Sequence, residues 1–482
     1  MRFKKPIDLL LSEASKTGEG SLKRTLSAMN LVALGIGAII GAGLFVRTAA
    51  ASAEAAGAAV TLSFVVAAIG CALAGLCYAE FAAMIPVAGS AYTYAYATMG
   101  EVTAWIIGWA LILEYALGAA TVSIAWSEYL NNLLGGAIPY EWCHSPFEVS
   151  AEGIRGFVNA PALLILGLIT LVLIKGTQES ARLNAIIVFI KVAIVLLFIA
   201  IGWKFINPTN HTPYLIPEST PGHEGIFKHG WGGVLGGAAI VFFAFIGFDA
   251  VSTAAQEAKN PKRDMPIGIL GSLIVCTILY ILFSHVLTGV ANWTEFKTAG
   301  KEASVAYTIQ KYMIGYDWLA TMITVAILAG FSSVILVMLM GQSRVFYSMS
   351  KDGLLPKVFS DLHPKFSTPY KSNVILFVFV GIFGGFIPGS VAGDLTSIGT
   401  LFAFVLVCVG ILIMRKSDPN IDRPFRTPWV PFVPIMGIIV CSSMIISLPG
   451  GTLLSAFVWM IVGLLIYFAY SMKNSVIRNR NK

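Results

Sequence analysis

Stretches of about twenty apolar residues recur from residue 29 to residue 472, and this recurrence limits the chain more than any other feature. An α-helix crosses roughly 30 Å of hydrocarbon with about 20 such residues, making every backbone hydrogen bond within itself. Of the 482 residues, 57% are hydrophobic and only 12% charged, with a mean hydropathy of +0.79. Soluble domains carry about twice that charged fraction. So few polar groups cannot cover a water-facing surface, and most of the exterior must face lipid. The expected fold class is all-α integral membrane with about twelve transmembrane helices, near 29–50, 58–84, 96–131, 158–175, 183–206, 231–257, 265–292, 317–348, 373–389, 394–414, 429–449 and 452–472. The third span is too long for one upright crossing, which predicts a tilt or an extension beyond the lipid.

The net charge of +7 does not imply nucleic acid, because the basic residues sit in short clusters between apolar runs. With an even number of spans, about 24 Lys and Arg fall on the side of both tails and about seven on the other. The positive-inside rule then places both termini in the cytoplasm of a plasma membrane. The opening residues form a polar mixed-charge tail rather than a cleavable leader, so the first span serves as its own insertion signal. Five of six cysteines lie in apolar runs, Cys143 lies alone in a loop, and no metal spacing is present. His211, His223 and His229 match no ligand pattern and are expected to be solvated loop histidines. No nucleophile elbow, paired-histidine motif or P-loop is found, which argues against an enzyme, a resident metal or cofactor, and ATP hydrolysis.

Chemistry is to be sought where apolar helices break their own rules. The first span holds four glycines within nine residues, Gly35, Gly37, Gly41 and Gly43. Glycine costs about 1 kcal/mol relative to alanine inside a helix. Either these glycines let helices pack closely, or they mark an unwound stretch lining a cavity. The sixth span starts with Gly232, Gly233, Gly236 and Gly237 and runs through Phe242–Asp249, placing Gly247 and an acid inside an apolar helix. Interrupted helices five spans apart predict a five-plus-five inverted repeat with substrate held at the two breaks. Half-helix N-termini favour a carboxylate and C-termini an ammonium, so a zwitterion suits both ends.

Lys191 lies mid-run in the fifth span. It is read as a coupling residue that loads and releases a proton or takes the place of a sodium ion, or alternatively as a structural ammonium capped by carbonyls. Glu80 and Glu114 are buried acids that either pair structurally or act in transport.

The motifs GIGAIIGAG in span one, CYAEF at 77–81, Phe242–Asp249, EAKNPKRDMPIGI at 257–269, SKDGLLP at 350–356, TSIGTLFAF at 396–404 and PFRTPWVPFVP at 424–434 resemble the amino acid–polyamine–organocation transporter superfamily. Within it, the chain is similar to bacterial permeases of the cationic amino acid transporter branch. The resemblance implies a leucine-transporter (LeuT-type) fold plus two accessory helices. Residues 29–206 and 231–416 would be the repeats, 207–230 an extracellular loop, 417–472 the accessory helices, and 1–28 and 473–482 cytoplasmic tails. It places the substrate carboxylate at the amides of Ala42 and Gly43, and the ammonium at the carbonyls of Ile39, Phe243 and Ile246, with the Phe243 ring as outer gate. Lys191 would hold the place of a sodium ion, and Asp249 would follow the second break. Phe331, Ser332 and Met338 of span eight would line the side-chain pocket. Two departures stand out. Ala42 replaces a common Ser or Thr, which removes a hydroxyl contact, and Gln256-Glu257 replaces a common Glu pair.

The function expected is secondary active, proton-coupled transport of small neutral, alanine-like amino acids. The alternatives are an exchanger, a cationic amino acid permease, or a non-transporting sensor. The partners are substrate, proton and lipid bilayer, and a small accessory membrane subunit is left open.

Overall fold

The computed structural model describes residues 3–15, 24–41, 43–150, 152–297, 304–448 and 450–480. About 76% of the described residues are helical, and they contain no strand. Eight of their helices are long and apolar enough to cross a bilayer, and three shorter apolar helices accompany them.

In chain order the helices begin with α1 (Ile7–Ser15), α2 (Ala28–Ile39), α3 (Val60–Met84), α4 (Ser90–Thr98) and α5 (Glu101–Leu133). Then come α6 (Ala160–Lys175), α7 (Thr177–Gly202), α8 (Gly230–Val241), α9 (Ala250–Thr253), α10 (Pro261–Val290), α11 (Ser304–Tyr312) and α12 (Asp317–Lys351). After these come α13 (Tyr370–Phe386), α14 (Gly389–Ser417), α15 (Phe432–Ile446), α16 (Gly450–Ile466) and α17 (Val476–Arg480), and single helical turns at Thr48–Ala51 and Met472–Asn474 are left without labels. Ser27 starts α2 through a reciprocal cap, its hydroxyl accepting from the Asn30 amide while its own amide donates to the Asn30 side chain. Asn159 caps α6 in one direction only, its side-chain oxygen accepting from the Ala162 amide at 3.2 Å.

The overlong third span resolves into two helices. Gly100, at φ +99°, separates α4 from α5, and only glycine takes that backbone conformation without strain. Large apolar side chains face outward along the bundle, among them Leu164, Leu171, Phe189, Ile274 and Leu454, each more than half exposed. Such a belt would be untenable in water and is ordinary against lipid.

Packing inside follows the small-residue logic of membrane helices. α10 runs along both α2 and α3, while α12 packs against the second half of α5 and against α7. A Cβ on Gly35 would lie 2.3 Å from the Ser272 hydroxyl, and one on Gly37 would lie 2.3 Å from the Asn184 carbonyl oxygen. These two glycines of the first span therefore serve close packing. Gly233, Gly236 and Gly237 do likewise, against Ala55, Phe227 and Ser63.

The outer-loop histidines correct the sequence expectation. His223 is buried and its ring bonds the Ala53 carbonyl at 3.0 Å, fastening the 207–230 loop to the end of the first span. His211 is partly buried, with its ring 4.7 Å from that of His285, and His229 is half-buried. Among the described residues no three metal-binding side chains cluster.

Candidate functional site

The first span is interrupted where its last glycines cluster. α2 ends at Ile39, Ile40 is extended (φ −76°, ψ 103°), and a wide π-type turn resumes at Gly43–Arg47. Ala42 lies outside the described residues. The sixth span breaks as well. α8 tightens into a 3-10 turn over Phe242–Phe245, Ile246 is extended (φ −58°, ψ 133°), Gly247 sits at φ +113°, and α9 follows.

The two interruptions touch. A Cβ on Gly43 would lie 2.1 Å from the Ala244 Cα, and one on Gly247 would lie 2.6 Å from the Ala38 Cβ. At Gly247 the space and the backbone angle both demand glycine. Gly41 backs onto Val334 of α12, where a Cβ would meet a methyl at 2.5 Å. Ile39, Gly41, Gly43, Phe243, Ile246, Gly247 and Asp249 are all buried, so the structure brings them together at the core of the bundle.

A helix end leaves its last carbonyls without intrahelical donors. Side chains from three other helices satisfy them here. The Lys191 ammonium donates to the Gly37 and Ile40 carbonyls at 2.8 and 2.7 Å and to the Ser333 hydroxyl at 3.0 Å. Ser333 in turn donates to the Gly37 carbonyl at 2.8 Å. The Tyr280 hydroxyl lies 2.7 Å from both the Ile39 carbonyl of the first break and the Ala244 carbonyl of the second. A cation at a helix C-terminus also complements the dipole. Lys191 thus has the geometry of the capped ammonium considered from the sequence.

Met338 is buried on α12 beside Gly118, whose added Cβ would meet its sulfur at 2.8 Å. Phe331 packs edge-on against Tyr129, with ring centroids 5.6 Å apart. Ser332 does not join them. It is only half-buried and bonds back to the Leu328 carbonyl, and its neighbour Ser333 is the serine that faces the break. One residue turns a helix by about 100°. Above Phe243, the Arg47 guanidinium stands 5.3 Å from the ring centroid.

The buried acids divide. Glu80 is structural: it accepts from Arg415 at 2.8 and 3.0 Å and from the Thr427 amide at 2.7 Å, with Arg423 at 3.2 Å. Glu114 and Tyr115 lie on a π-type turn, Leu113–Leu117, inside α5, a distortion that recurs at functional sites. The Tyr115 hydroxyl donates to Asp249 at 2.5 Å. Glu114 lies against Asp249 and Thr400, so two carboxyls stand side by side in the buried core. Such a pair at the foot of the second break needs a reason. Sequence reasoning missed Tyr280, Ser333 and Tyr115. A tyrosine or serine in an apolar run is ordinary, and only the broken helix ends reveal what these hydroxyls cap.

Residues 26–470 match the amino acid permease family across nearly the whole bundle. The chain belongs to that family. It is similar to the branched-chain amino acid permease of Bacillus subtilis (strain 168), 44% identical over 465 residues and 96% of each chain. It is also similar to the methylthioribose transporter of the same organism, 40% identical over 477 residues and 98% of each chain. A vacuolar cationic amino acid transporter 4 of Arabidopsis thaliana is 34% identical, over 84% of this chain and 65% of its own. The permease is a transporter rather than an enzyme, a multi-pass membrane protein of the amino acid–polyamine–organocation superfamily.

Proposed function

We propose that this permease is a secondary active transporter of neutral aliphatic amino acids, from alanine to the branched-chain residues, driven by proton entry across the plasma membrane. The observation that carries the reading is the contact between two interrupted helices at Gly43–Ala244 and Gly247–Ala38, which gathers backbone groups of both breaks at one buried spot. The carboxylate meets the amide of Gly43 and that of Ala42, and the ammonium meets the carbonyls of Ile39, Phe243 and Ile246. Each carbonyl has two lone pairs, so the bond already made by Ile39 to Tyr280 leaves room for a second donor. Met338 and Phe331 offer the side chain an apolar wall, which supports a neutral substrate. The Bacillus relative named for branched-chain amino acids supports extending the range beyond alanine.

In this reading twelve spans form a five-plus-five inverted repeat with two accessory helices, both termini are cytoplasmic, and Phe243 under Arg47 closes the outer side. Inward movement of one positive charge yields about 2.3 kcal/mol per 100 mV. Lys191 fills a sodium-like position between carbonyls of the first break. The Glu114–Asp249 pair, two carboxyls buried side by side, offers the proton a second place to ride.

The test is uptake of labelled alanine into proteoliposomes, with and without an inward proton gradient, against leucine, arginine and methylthioribose as competitors. Uptake accelerated by the gradient and blocked by leucine but not arginine is expected. Binding without any flux would make the protein a sensor, and competition by methylthioribose alone would end the zwitterion argument.

A further inference from the structure

Two of the shorter apolar helices, α6 and α13, pack side by side away from the transport site. They are pinned to each other at both ends. At one end the Asn159 amide, just before α6, donates to the Gly385 carbonyl at 2.9 Å, and Leu163 lies against Gly381 and Gly385. At the other end the Thr368 hydroxyl, just before α13, donates to the Ile174 carbonyl at 2.9 Å. Between the pins Gly167 contributes no side chain, and an open groove of about 450 Å³ runs between the helices. Leu164, Leu168 and Leu171 line it from α6, and Val374 and Phe377 from α13. A Cβ on Gly167 would stand 3.5 Å from the Phe377 ring. The three leucines and Val374 are exposed, so the groove opens onto the same belt of apolar side chains that faces lipid.

Its length and its charge are both telling. From Leu163 to Ile174 the groove follows α6 for about 16 Å, half of the roughly 30 Å of hydrocarbon and so the depth of one leaflet. The helices themselves, of 16 and 17 residues, rise only about 24 and 26 Å, and such short spans draw lipid headgroups in towards their ends. One end of the groove is basic. Lys175 comes four residues after Leu171 and Lys371 three before Val374, spacings that put each lysine on the groove-lining face of its helix. Both are exposed, and Lys365 follows on the loop that Thr368 ties to α6. Asp361 engages one of the three, Lys371 at 2.7 Å. This end lies on the face of the C-terminal residues, where the Val476 amide bonds the Asp352 carbonyl at the end of α12, one loop before α13.

We propose that this groove binds one anionic phospholipid, with an acyl chain laid along α6 and the phosphate between Lys175 and Lys371. A lipid tail gains nothing hydrophobic by leaving other tails, so van der Waals contact with the groove walls holds the chain. The choice of headgroup belongs to the lysines, because a basic pocket between membrane helices attracts a net negative headgroup, whereas a zwitterionic one brings its own cation. A phospholipid supplies both parts in the required order, chain in the apolar stretch and phosphate at the rim. A second copy of the chain does not: related by a two-fold axis along the membrane normal, it would bring its own lysines to the same level. The inference uses the membrane placement of the chain and is independent of the transport reading.

The experiment is native mass spectrometry of the delipidated full chain in detergent, titrated with phosphatidylglycerol or with phosphatidylcholine of the same chains. The parent is expected to bind phosphatidylglycerol preferentially. Gly167→Phe, which fills the groove, should carry one lipid fewer, and phosphatidylglycerol should raise its unfolding temperature less than the parent's. Leu168→Trp, at an exposed position, blocks the same groove and stands in should Gly167→Phe unfold. Lys175→Gln combined with Lys371→Gln should weaken phosphatidylglycerol binding roughly tenfold while leaving phosphatidylcholine binding unchanged. The same lipid count and the same headgroup preference in the groove and lysine variants would overturn the proposal. Displacement of the lipid by excess inorganic phosphate would do so too, by removing the chain from the site. A parent dimer that excludes lipid and is lost in Gly167→Phe would assign the groove to a second copy instead.

Discussion

Replacing Lys191 with methionine keeps the side chain's length and apolar stem while removing the ammonium. The Gly37 carbonyl keeps Ser333 as a donor, but the Ile40 carbonyl loses its side-chain partner. A buried carbonyl left unsatisfied costs about 1–3 kcal/mol, and losing a cation at a helix C-terminus adds up to about 2 kcal/mol. Against these stands the relief of no longer burying a charge. A net loss of about 2 kcal/mol is expected, falling on the shape of the first break. Since about 1.4 kcal/mol is tenfold in affinity, alanine binding should weaken roughly 30-fold. The assay is equilibrium binding of labelled alanine to purified protein, with thermal unfolding in parallel to verify folding. A Lys191→Met protein that binds alanine as tightly as the parent and unfolds at the same temperature would refute the capping argument. If binding survives and only the response to a proton gradient disappears, Lys191 is a coupling group and not a cap.

Three further outcomes are expected. Gly247→Ala combines a left-handed backbone with a 2.6 Å approach to Ala38, so it should cost about 1–3 kcal/mol and lower the unfolding temperature, while Gly225→Ala, also at positive φ but in open space, should cost less. Glu114→Gln and Asp249→Asn should abolish gradient-driven accumulation while sparing alanine counterflow, and equal loss of both fluxes would make the pair structural. Outside the membrane, Glu295 is partly buried, which opposes its ionisation, yet Lys311, Tyr312 and Tyr307 bond its carboxylate and hold it below the usual carboxylate range. A carboxyl depressed on folding stabilises above its unfolded pKa of about 4.3 and loses that contribution as pH falls through the folded value. Limited proteolysis of the 293–312 region should therefore rise below about pH 4, and Glu295→Gln should remove the dependence.

Much of the site was legible because its residues violate the habits of apolar helices. Gly247 and Asp249 inside one run, and four glycines inside another, cannot be ordinary lipid-facing sequence. What glycine content could not say is which glycine breaks the helix and which merely permits contact. Gly35 and Gly37 pack on α10 and α7, whereas the backbone departs from helix at Ile40–Gly41. That distinction depends on which element lies opposite, a property of the assembled bundle. Glu80 and Glu114 looked equivalent as buried acids. One met two arginines from distant sequence and the other met a second acid, and pairings across hundreds of residues leave no local trace. The span three boundary was missed for a simpler reason: the run from 96 to 131 is mostly apolar, and the backbone angle at Gly100 is what divides it.

Tyr280 carries one hydroxyl proton but faces two carbonyls at equal distance, one from each broken span. It can give that proton to either. Under the proposed transport reading, an ammonium group that claimed one of these carbonyls would leave the tyrosine the other, so the hydroxyl would keep a partner with or without a guest.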